Sequence, residues 1–380
     1  MALSGPYREH MSVMSRLTEV NWLFVLLILA VAAIGIAVLY SAGGGSFDPW
    51  ASRQISRFAL AIGIMFAAAL VDLRFWLRHA YVVYAIGIIM LVAVEAMGIE
   101  AKGAERWLYI GFMRVQPSEV MKIALVLALA RYFHKTAAED VRRISRLIPA
   151  LLIIAVPALL VLKQPDLGTA GMLLLSGAGM LFIAGVRWRW FALVGVAGLG
   201  VLPVLWNHLR DYQKARVLTF LDPERDPLGA GYHILQSKIA LGSGGIWGKG
   251  FLQGSQSHLS FIPEKQTDFI FSIFAEEFGM VGAIVLLTLY GLILVYGFAI
   301  ALRSRNQFGR LLALGITLTF FLYVFINMAM VMGLIPVVGV PLPLISYGGT
   351  AMLTLMFGFG LLISVYIHRD ARIGRFQGDD

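Results

Sequence analysis

The sequence predicts an all-α polytopic membrane protein with about ten transmembrane helices. Its mean hydropathy is +0.80 over 380 residues, far above the range of soluble proteins. Hydrophobic residues make up 59% of the chain and charged residues only 14%, and the apolar residues fall in runs long enough to cross about 30 Å of hydrocarbon. Lys and Arg are concentrated in alternate connections between those runs.

Ten apolar windows are candidate helices, because a helix that crosses the bilayer needs about 20 residues. The first runs from Val20 to Tyr40 and is too long for the core of a signal peptide, so we expect an uncleaved first helix. The fourth and fifth windows are short, which indicates tilted or broken helices. The windows are 20–41, 55–72, 76–98, 118–133, 147–162, 168–186, 190–207, 276–302, 311–333 and 346–368.

The basic residues of the connections set the orientation, because cytoplasmic loops carry an excess of Lys and Arg. One side, which includes both termini, holds Arg8, Arg16, Arg74, Arg78, Lys135, Arg142, Arg143, Arg146, Arg187, Arg189, Arg303, Arg305, Arg310, Arg369, Arg372 and Arg375. The short loops of the other side hold only Arg53, Arg57, Lys102, Arg106, Arg114 and Lys163. We therefore expect cytoplasmic N- and C-termini.

One connection is much longer than the others. Residues 208–275, between the seventh and eighth windows, are predicted to form a large extracytoplasmic loop within a single membrane domain that spans residues 1–380. A loop of this length inside a compact protein is usually functional. Its segment GSGGIWGKG is not a phosphate-binding P-loop, because Ser243 and Gly250 stand where that motif needs Gly and then Ser or Thr.

The composition excludes several functional classes. The chain has no cysteine, which excludes disulfides, a thiol nucleophile and cysteine-based zinc sites. Its net charge of +9 is scattered between apolar runs as a topology signal, so we do not expect a nucleic-acid partner.

Charged residues near the outer ends of the helices are the candidate functional residues. Glu119 and Lys122 lie at positions i and i+3 just after a helix start at Pro117. They form either a structural ion pair at the membrane edge or a site where Lys122 holds an anionic substrate group. Asp166 is well placed as a helix N-cap, and Arg106 as an interfacial anchor on an outer loop.

The long loop contributes further candidates. Arg216 and Lys249 form either a solvated basic patch or a phosphate-binding pair, because arginine offers a bidentate fork to phosphate. Asp268, in PEKQTDFIFS, is either a helix cap or an ionised group that the protein needs for chemistry. Under the predicted topology it projects to the same outer face as Glu119, Lys122, Asp166, Arg106 and Arg216. A cluster of carboxylates and cations at one membrane face suits chemistry on a lipid-linked anion.

Several long motifs resemble the SEDS family (shape, elongation, division and sporulation). They are GAERWLYIG, QPSEVMKIA, QPDLGTA, DPLGAGYHILQSKIALGSGGIWGKGFLQGSQS, FIPEKQTDFIFSIFAEEFG and GLIPVVGVPLPLISYGGTAM. The resemblance runs from the first window to the last. Residues 336–344, PVVGVPLPL, are similar to the elongation branch, RodA, whereas the division branch, FtsW, typically has a Thr-Lys-Gly-Leu-Thr type segment there.

The resemblance implies a peptidoglycan glycosyltransferase that polymerises lipid II on the outer, periplasmic face of the bacterial cytoplasmic membrane during elongation and shape maintenance. It also implies ten spans embedded in membrane lipid. The implied protein partners are a class B penicillin-binding protein, which cross-links the product, and other membrane proteins of the elongation complex.

For such an enzyme the chemistry assigns roles to the candidates. An α-linked donor and a β-linked product require inversion, hence a single displacement assisted by a general base, for which Asp268 is the candidate. Arg216, Lys122 or a divalent cation, Mg²⁺ or Mn²⁺, would stabilise the departing pyrophosphate. Glu119 would orient Lys122, and Asp166 would shape the cavity.

Two other classes are alternatives. A lipid II flippase is the stronger one, although transporters tend to place polar groups near the bilayer midplane between broken helices, and this sequence does not. A non-catalytic scaffold that recruits cell-wall enzymes is the other, but a scaffold needs no dense polar cluster at the outer face.

Overall fold

The computed structural model describes residues 12–97, 99–101, 104–110, 113–137, 139–208, 211–222, 230–255, 265–371 and 373–374. Its helices are α1 (Val13–Thr18), α2 (Trp22–Ala42), α3 (Ala51–Leu70), α4 (Leu73–Met97), α5 (Pro117–Lys135), α6 (Ile144–Lys163), α7 (Leu167–Ile183), α8 (Trp188–His208), α9 (Asp211–Leu221), α10 (Ala230–Ser243), α11 (Ile270–Arg303), α12 (Gln307–Val331) and α13 (Gly349–Ile367).

Each of the ten predicted windows coincides with a helix, namely α2 to α8 and α11 to α13. Within the described ranges, seven helices are long and apolar enough to cross a membrane: α2, α3, α4, α6, α11, α12 and α13. Helix α7 is a shorter apolar helix of 17 residues. The chain is therefore a mostly helical multi-pass membrane protein, as predicted, and the count of ten spans stays a prediction.

Helices α12 and α13 form the centre of the bundle. Of their most apolar stretches, 78% and 72% respectively are buried, against 22% for α4. Glycines let neighbouring backbones approach closely, as is typical of helix packing in lipid. A Cβ on Gly360 of α13 would lie 2.3 Å from the carbonyl oxygen of Met65 in α3, and one on Gly315 of α12 would lie 2.5 Å from Val126 in α5.

The two ends of the described chain lie at the same end of the bundle. Arg369, just after α13, places Nη2 3.0 Å from Oε2 of Glu19, just before α2. Arg16 donates a hydrogen bond to the carbonyl oxygen of Leu70 at the end of α3. These contacts agree with the prediction that both termini lie on one side of the membrane.

Helix α11 differs from its predicted window, 276–302. It begins at Ile270 and breaks at Gly279, whose φ of 63° and ψ of −160° are essentially restricted to glycine. The glycine-rich loop after α10 fills the break, because Gly245 O accepts a hydrogen bond from Met280 N at 2.9 Å. The segment GSGGIWGKG therefore has a structural role, because it packs into the break in the middle of α11.

Two further features lay outside the sequence prediction. Three short strands between α4 and α5 form an antiparallel sheet of order β1-β2-β3. They are β1 (Ile99–Ala101), β2 (Ala104–Ile110) and β3 (Met113–Val115). The predicted long loop, 208–275, contains the helices α9 and α10 and the start of α11.

Candidate active site

Several helix ends meet at the end of the bundle opposite the chain termini. Asn306, just before α12, contacts Ala371 near the C-terminus at 3.4 Å, so α12 ends at the far side. There its last turns meet the first turns of α5, α7 and α11 and the connection 332–348, which joins α12 to α13. Candidate residues that are far apart in the sequence are gathered at this end.

Asp268 lies in a turn immediately before α11. Side chains from α12 and from the 332–348 connection hold the backbone of this turn. Its carbonyl oxygen accepts a hydrogen bond from Asn327 Nδ2 at 2.9 Å, and the carbonyl oxygen of Thr267 accepts one from Ser346 Oγ at 2.6 Å. The side chain is half-buried, and its Oδ2 faces Gly339, where a Cβ would lie 3.5 Å away. The carboxylate is thus presented beside the 332–348 connection.

Asp268 lies close to the start of α11. Phe269 occupies the N-cap position of α11, so Asp268 lies one residue before it. Lys265, three residues earlier, is half-buried with its ammonium 5.9 Å from the ring centroid of Trp50. Burial lowers the pKa of Lys265. A carboxylate and a partly desolvated cation therefore share this turn.

Glu119 and Lys122 form a buried ion pair with a third member that the sequence analysis missed. Lys122 Nζ lies 2.7 Å from Glu119 Oε1 and 2.7 Å from the hydroxyl of Tyr323, and that hydroxyl donates to Glu119 Oε2. Glu119 is 3% exposed and Lys122 1% exposed. The contacts are those of the structural ion pair; the substrate-binding role of Lys122 stays a prediction.

Tyr323 also connects this pair to a cavity. The cavity lies between α12, α13 and the 332–348 connection, and its lining includes Tyr323, Leu342, Ser346 and Met352. Its walls are mostly apolar, with Tyr323 and Ser346 as the polar members. The buried pair therefore borders this cavity, and Ser346 in the lining contacts the carbonyl oxygen of Thr267, the residue before Asp268.

Asp166 has the structural role that was predicted for it. It is the N-cap of α7, with Oδ1 accepting from Thr169 N at 3.1 Å and Oδ2 from the Thr169 hydroxyl at 2.9 Å. Gly168, in the first turn, packs against the carbonyl oxygen of Val338, where a Cβ would come within 2.3 Å. Because Gly339 faces Asp268, the cap places Asp166 near the same wall of the site. Its substrate-binding role stays a prediction.

Lys249 has a buried carboxylate as its partner. Its Nζ lies 2.6 Å from Glu276 Oε1 and 2.8 Å from Ser255 Oγ, on the loop that fills the break in α11. Glu277, the next residue, accepts a hydrogen bond from the hydroxyl of Ser41 in α2. The contacts of Lys249 hold the loop to the helix, and its proposed contact with phosphate stays a prediction.

Two residues singled out from the sequence, Arg106 and Arg216, lie beyond the description of side chains. Arg106 has its backbone in β2 and Arg216 in α9, but their side chains are outside the described residues. Glu264, which precedes Lys265, is outside them entirely.

The residues that the sequence analysis missed are Tyr323, Asn327 and Ser346. Each is a single polar side chain in or beside an apolar helix, which is a signal for a functional or linking role in membrane proteins. The signal was present, but the sequence did not indicate which distant residues these side chains meet.

A metal site was left open by the sequence. In the part of the chain that the structure describes, no three His, Asp or Glu side chains are grouped so that they could hold a metal ion.

The chain is similar to known proteins over most of its length. The FtsW/RodA/SpoVE family of cell cycle proteins matches residues 21–371. A protein of Escherichia coli named peptidoglycan glycosyltransferase MrdB is 47% identical over 91% of this chain and 93% of its own length. A probable peptidoglycan glycosyltransferase FtsW of Geobacter sulfurreducens is 34% identical over 90% of this chain and 94% of its own.

Solved structures are similar over nearly the whole chain as well. One is described as a peptidoglycan synthase complex with structural coordination of polymerization and crosslinking. A chain of that complex has a TM-score of 0.79 and 33% identity to this chain, and the match covers 92% of this chain and 98% of that one. The rod shape determining protein RodA of Thermus thermophilus has a TM-score of 0.70 and 28% identity, covering 93% of this chain and 98% of its own.

Proposed function

The chain belongs to the FtsW/RodA/SpoVE family, and from that premise we propose that it is a RodA-like peptidoglycan glycosyltransferase. It polymerises lipid II into glycan strands during cell elongation and shape maintenance. The observation that carries the mechanism is Asp268, a half-buried carboxylate held by its backbone beside the 332–348 connection. Similarity over more than nine-tenths of the length of named glycosyltransferases supports the activity: 93% of one and 94% of another.

Asp268 acts as the general base of an inverting displacement. The acceptor sugar hydroxyl gives its proton to the Asp268 carboxylate while its oxygen forms the bond to the anomeric carbon of the donor. The bond from that carbon to the pyrophosphate oxygen breaks, and undecaprenyl pyrophosphate leaves with the electron pair. A hydroxyl is only weakly acidic, so the proton moves in the transition state, where a positioned carboxylate is effective.

The departing pyrophosphate gains negative charge that nearby cations offset. Arg216 and Lys122 are the proposed protein groups, with Glu119 orienting Lys122, and Arg106 and Lys249 as further contacts. Asp166 shapes the cavity through its cap on α7. A Mg²⁺ or Mn²⁺ ion bound with the substrate would supply further charge stabilisation to the pyrophosphate.

The site faces the periplasm, and the enzyme lies in the cytoplasmic membrane. The charge distribution supports this orientation. The termini lie on the side whose connections carry more Lys and Arg, which is the cytoplasmic side, and the candidate residues lie at the opposite end of the bundle. The periplasmic side is also where a cross-linking partner meets the glycan. The partner is a single-span class B penicillin-binding protein, as the similarity to a peptidoglycan synthase complex supports.

A polymerisation assay in detergent tests the proposal. The purified chain, with and without a class B penicillin-binding protein, is incubated with lipid II where no compartments exist. Glycan polymer is expected, at a higher rate with the partner. A flippase or a scaffold would give none, because there is no membrane to cross and no reaction to catalyse, and that result would overturn the enzyme assignment.

A further inference from the structure

Asn327 is a fully buried amide in the apolar helix α12. Its Nδ2 donates two hydrogen bonds, one to the carbonyl oxygen of Asp268 at 2.9 Å and one to that of Val340 at 2.7 Å. Both carbonyls belong to non-helical stretches, where backbone groups lack the regular partners of a helix. One side chain thus ties the turn before α11 to the connection between α12 and α13.

The chemistry of the side chain fits this double contact. A neutral amide nitrogen carries two hydrogens, whereas a hydroxyl carries one, and glutamine would be longer by one methylene. The Oδ1 atom of Asn327 is buried and accepts no hydrogen bond from the described part of the chain. Within the described residues, the side-chain hydrogen bonds of Asn327 are therefore the two that its Nδ2 donates.

The bonds fix the surroundings of the Asp268 carboxylate. Val340 follows Gly339, where an added Cβ would lie 3.5 Å from Asp268 Oδ2. By binding both Asp268 and Val340, the amide sets the separation between the carboxylate and this wall of the site. Ser346 acts on the preceding residue, donating to Thr267 O at 2.6 Å while its Oγ accepts from Leu342 N at 2.7 Å.

We infer that Asn327 is a positioning residue that holds Asp268 in its reactive orientation, with Ser346 in support; the inference rests on the proposed function, in which Asp268 is the base. Misplacing a reacting group by about 1 Å can cost about 10²-fold in rate. Loss of the amide therefore lowers kcat and leaves lipid II binding, reported by KM, largely unchanged.

The test compares Asn327→Ala with Thr319→Val in polymerisation of lipid II by the purified chain with its partner. Thr319 is also buried in α12, but its hydroxyl bonds within the helix to Gly315 O at 2.9 Å. We expect kcat to fall about tenfold to a hundredfold for Asn327→Ala, with KM within about twofold. Thr319→Val should keep kcat within about twofold. Equal kcat in the wild type and Asn327→Ala would overturn the inference.

A double variant separates positioning from general damage. If Asn327 acts through Asp268, adding Asn327→Ala to Asp268→Asn should slow the residual reaction by no more than about twofold. A further tenfold loss would show that Asn327 acts elsewhere and would overturn the inference. A near wild-type rate for Asp268→Asn alone would instead contradict the proposed base.

Ser346→Ala keeps the test decisive if Asn327→Ala fails to insert. It removes the bond to Thr267 O and the bond from Leu342 N, and it leaves α12 intact. We expect a severalfold fall in kcat with KM unchanged, and again no added loss on the Asp268→Asn background. A wild-type kcat for Ser346→Ala would then count against the positioning role of these bonds.

Discussion

Lys249 Nζ lies 2.6 Å from Glu276 Oε1, and this ion pair joins the glycine-rich loop to α11 just before its break. The Glu276 side chain is fully buried, and that of Lys249 is 31% exposed. The N–H of Lys249 also donates to Glu276 O at 3.0 Å. A pyrophosphate that binds Lys249 must therefore share this cation with a buried carboxylate.

The break in α11 should tolerate only glycine. A Cβ on Gly279 would lie 2.3 Å from Gly248 N, and the backbone has a φ of 63°. We expect Gly279→Ala to lower stability by about 1–3 kcal/mol or more through strain. Gly291→Ala, on the same helix with no atom near its Cβ position, is the control and should not destabilise. Melting temperatures in detergent check this, and equal values for the two variants would contradict the role of the break.

The Glu119–Lys122 pair can be tested by single and double replacement. Lys122→Met leaves the buried Glu119 carboxylate without its cation, which should cost about 3–5 kcal/mol of stability. The double variant Glu119→Gln/Lys122→Met should be much milder, because neither charge is left alone. Melting temperatures report the difference.

The activity of the same double variant distinguishes the two interpretations of the pair. A stable double variant that polymerises lipid II indicates a structural ion pair. A stable variant without activity, on the other hand, indicates that the pair contacts substrate. A Lys122→Met protein as stable as the wild type would show that the pair does not hold the helices together.

Asp268→Asn should abolish most of the polymerase activity. It preserves the size of the side chain and leaves the backbone bond to Asn327 in place, so folding should change little. It cannot accept the hydroxyl proton, so the rate should fall by about 10² or more. Asp140→Asn, at a carboxylate that pairs with the exposed Arg143, is the matched control. If Asp268→Asn is active and Asp166→Asn or Glu119→Gln is dead, the base lies elsewhere.

The lowered pKa of Lys265 predicts that polymerase activity depends on pH. Burial lowers its pKa below the ordinary value of 10.5, so its positive charge is present at low pH and is lost at a lower alkaline pH than for a solvated lysine. If this cation assists at the site, activity falls over that range, and Lys265→Arg extends activity to higher pH because arginine stays charged. Lys163→Arg, at an exposed lysine, is the control. If activity falls at the same alkaline pH in Lys265→Arg and in Lys163→Arg, Lys265 does not cause the fall.

The topology can be tested with reporter fusions. Fusions after Lys135 and Arg305 should be cytoplasmic, and one near Gly254 should be external, because basic residues are in excess on the first side. Accessibility labelling of the same positions is an independent measurement. A cytoplasmic reading near Gly254 would place the candidate site on the wrong face for lipid-linked chemistry at the cell surface.

The sequence by itself determined the fold class, the positions of the ten apolar windows and the placement of both termini at one end of the bundle. Hydropathy and charge act through the local partitioning of each segment between water and lipid, so they can be read along the chain without knowledge of contacts. It also identified Asp166 as the N-cap of α7, because a cap depends on residues within one turn.

Only the tertiary structure decided which polar groups meet. Tyr323 binds Lys122 from 201 residues away, Asn327 binds Asp268 from 59 residues away, and the break at Gly279 is filled by a loop that precedes it. Such pairings arise when packing removes water from polar groups and each then requires a partner. That requirement depends on three-dimensional proximity, and a linear pattern of residue types does not contain it.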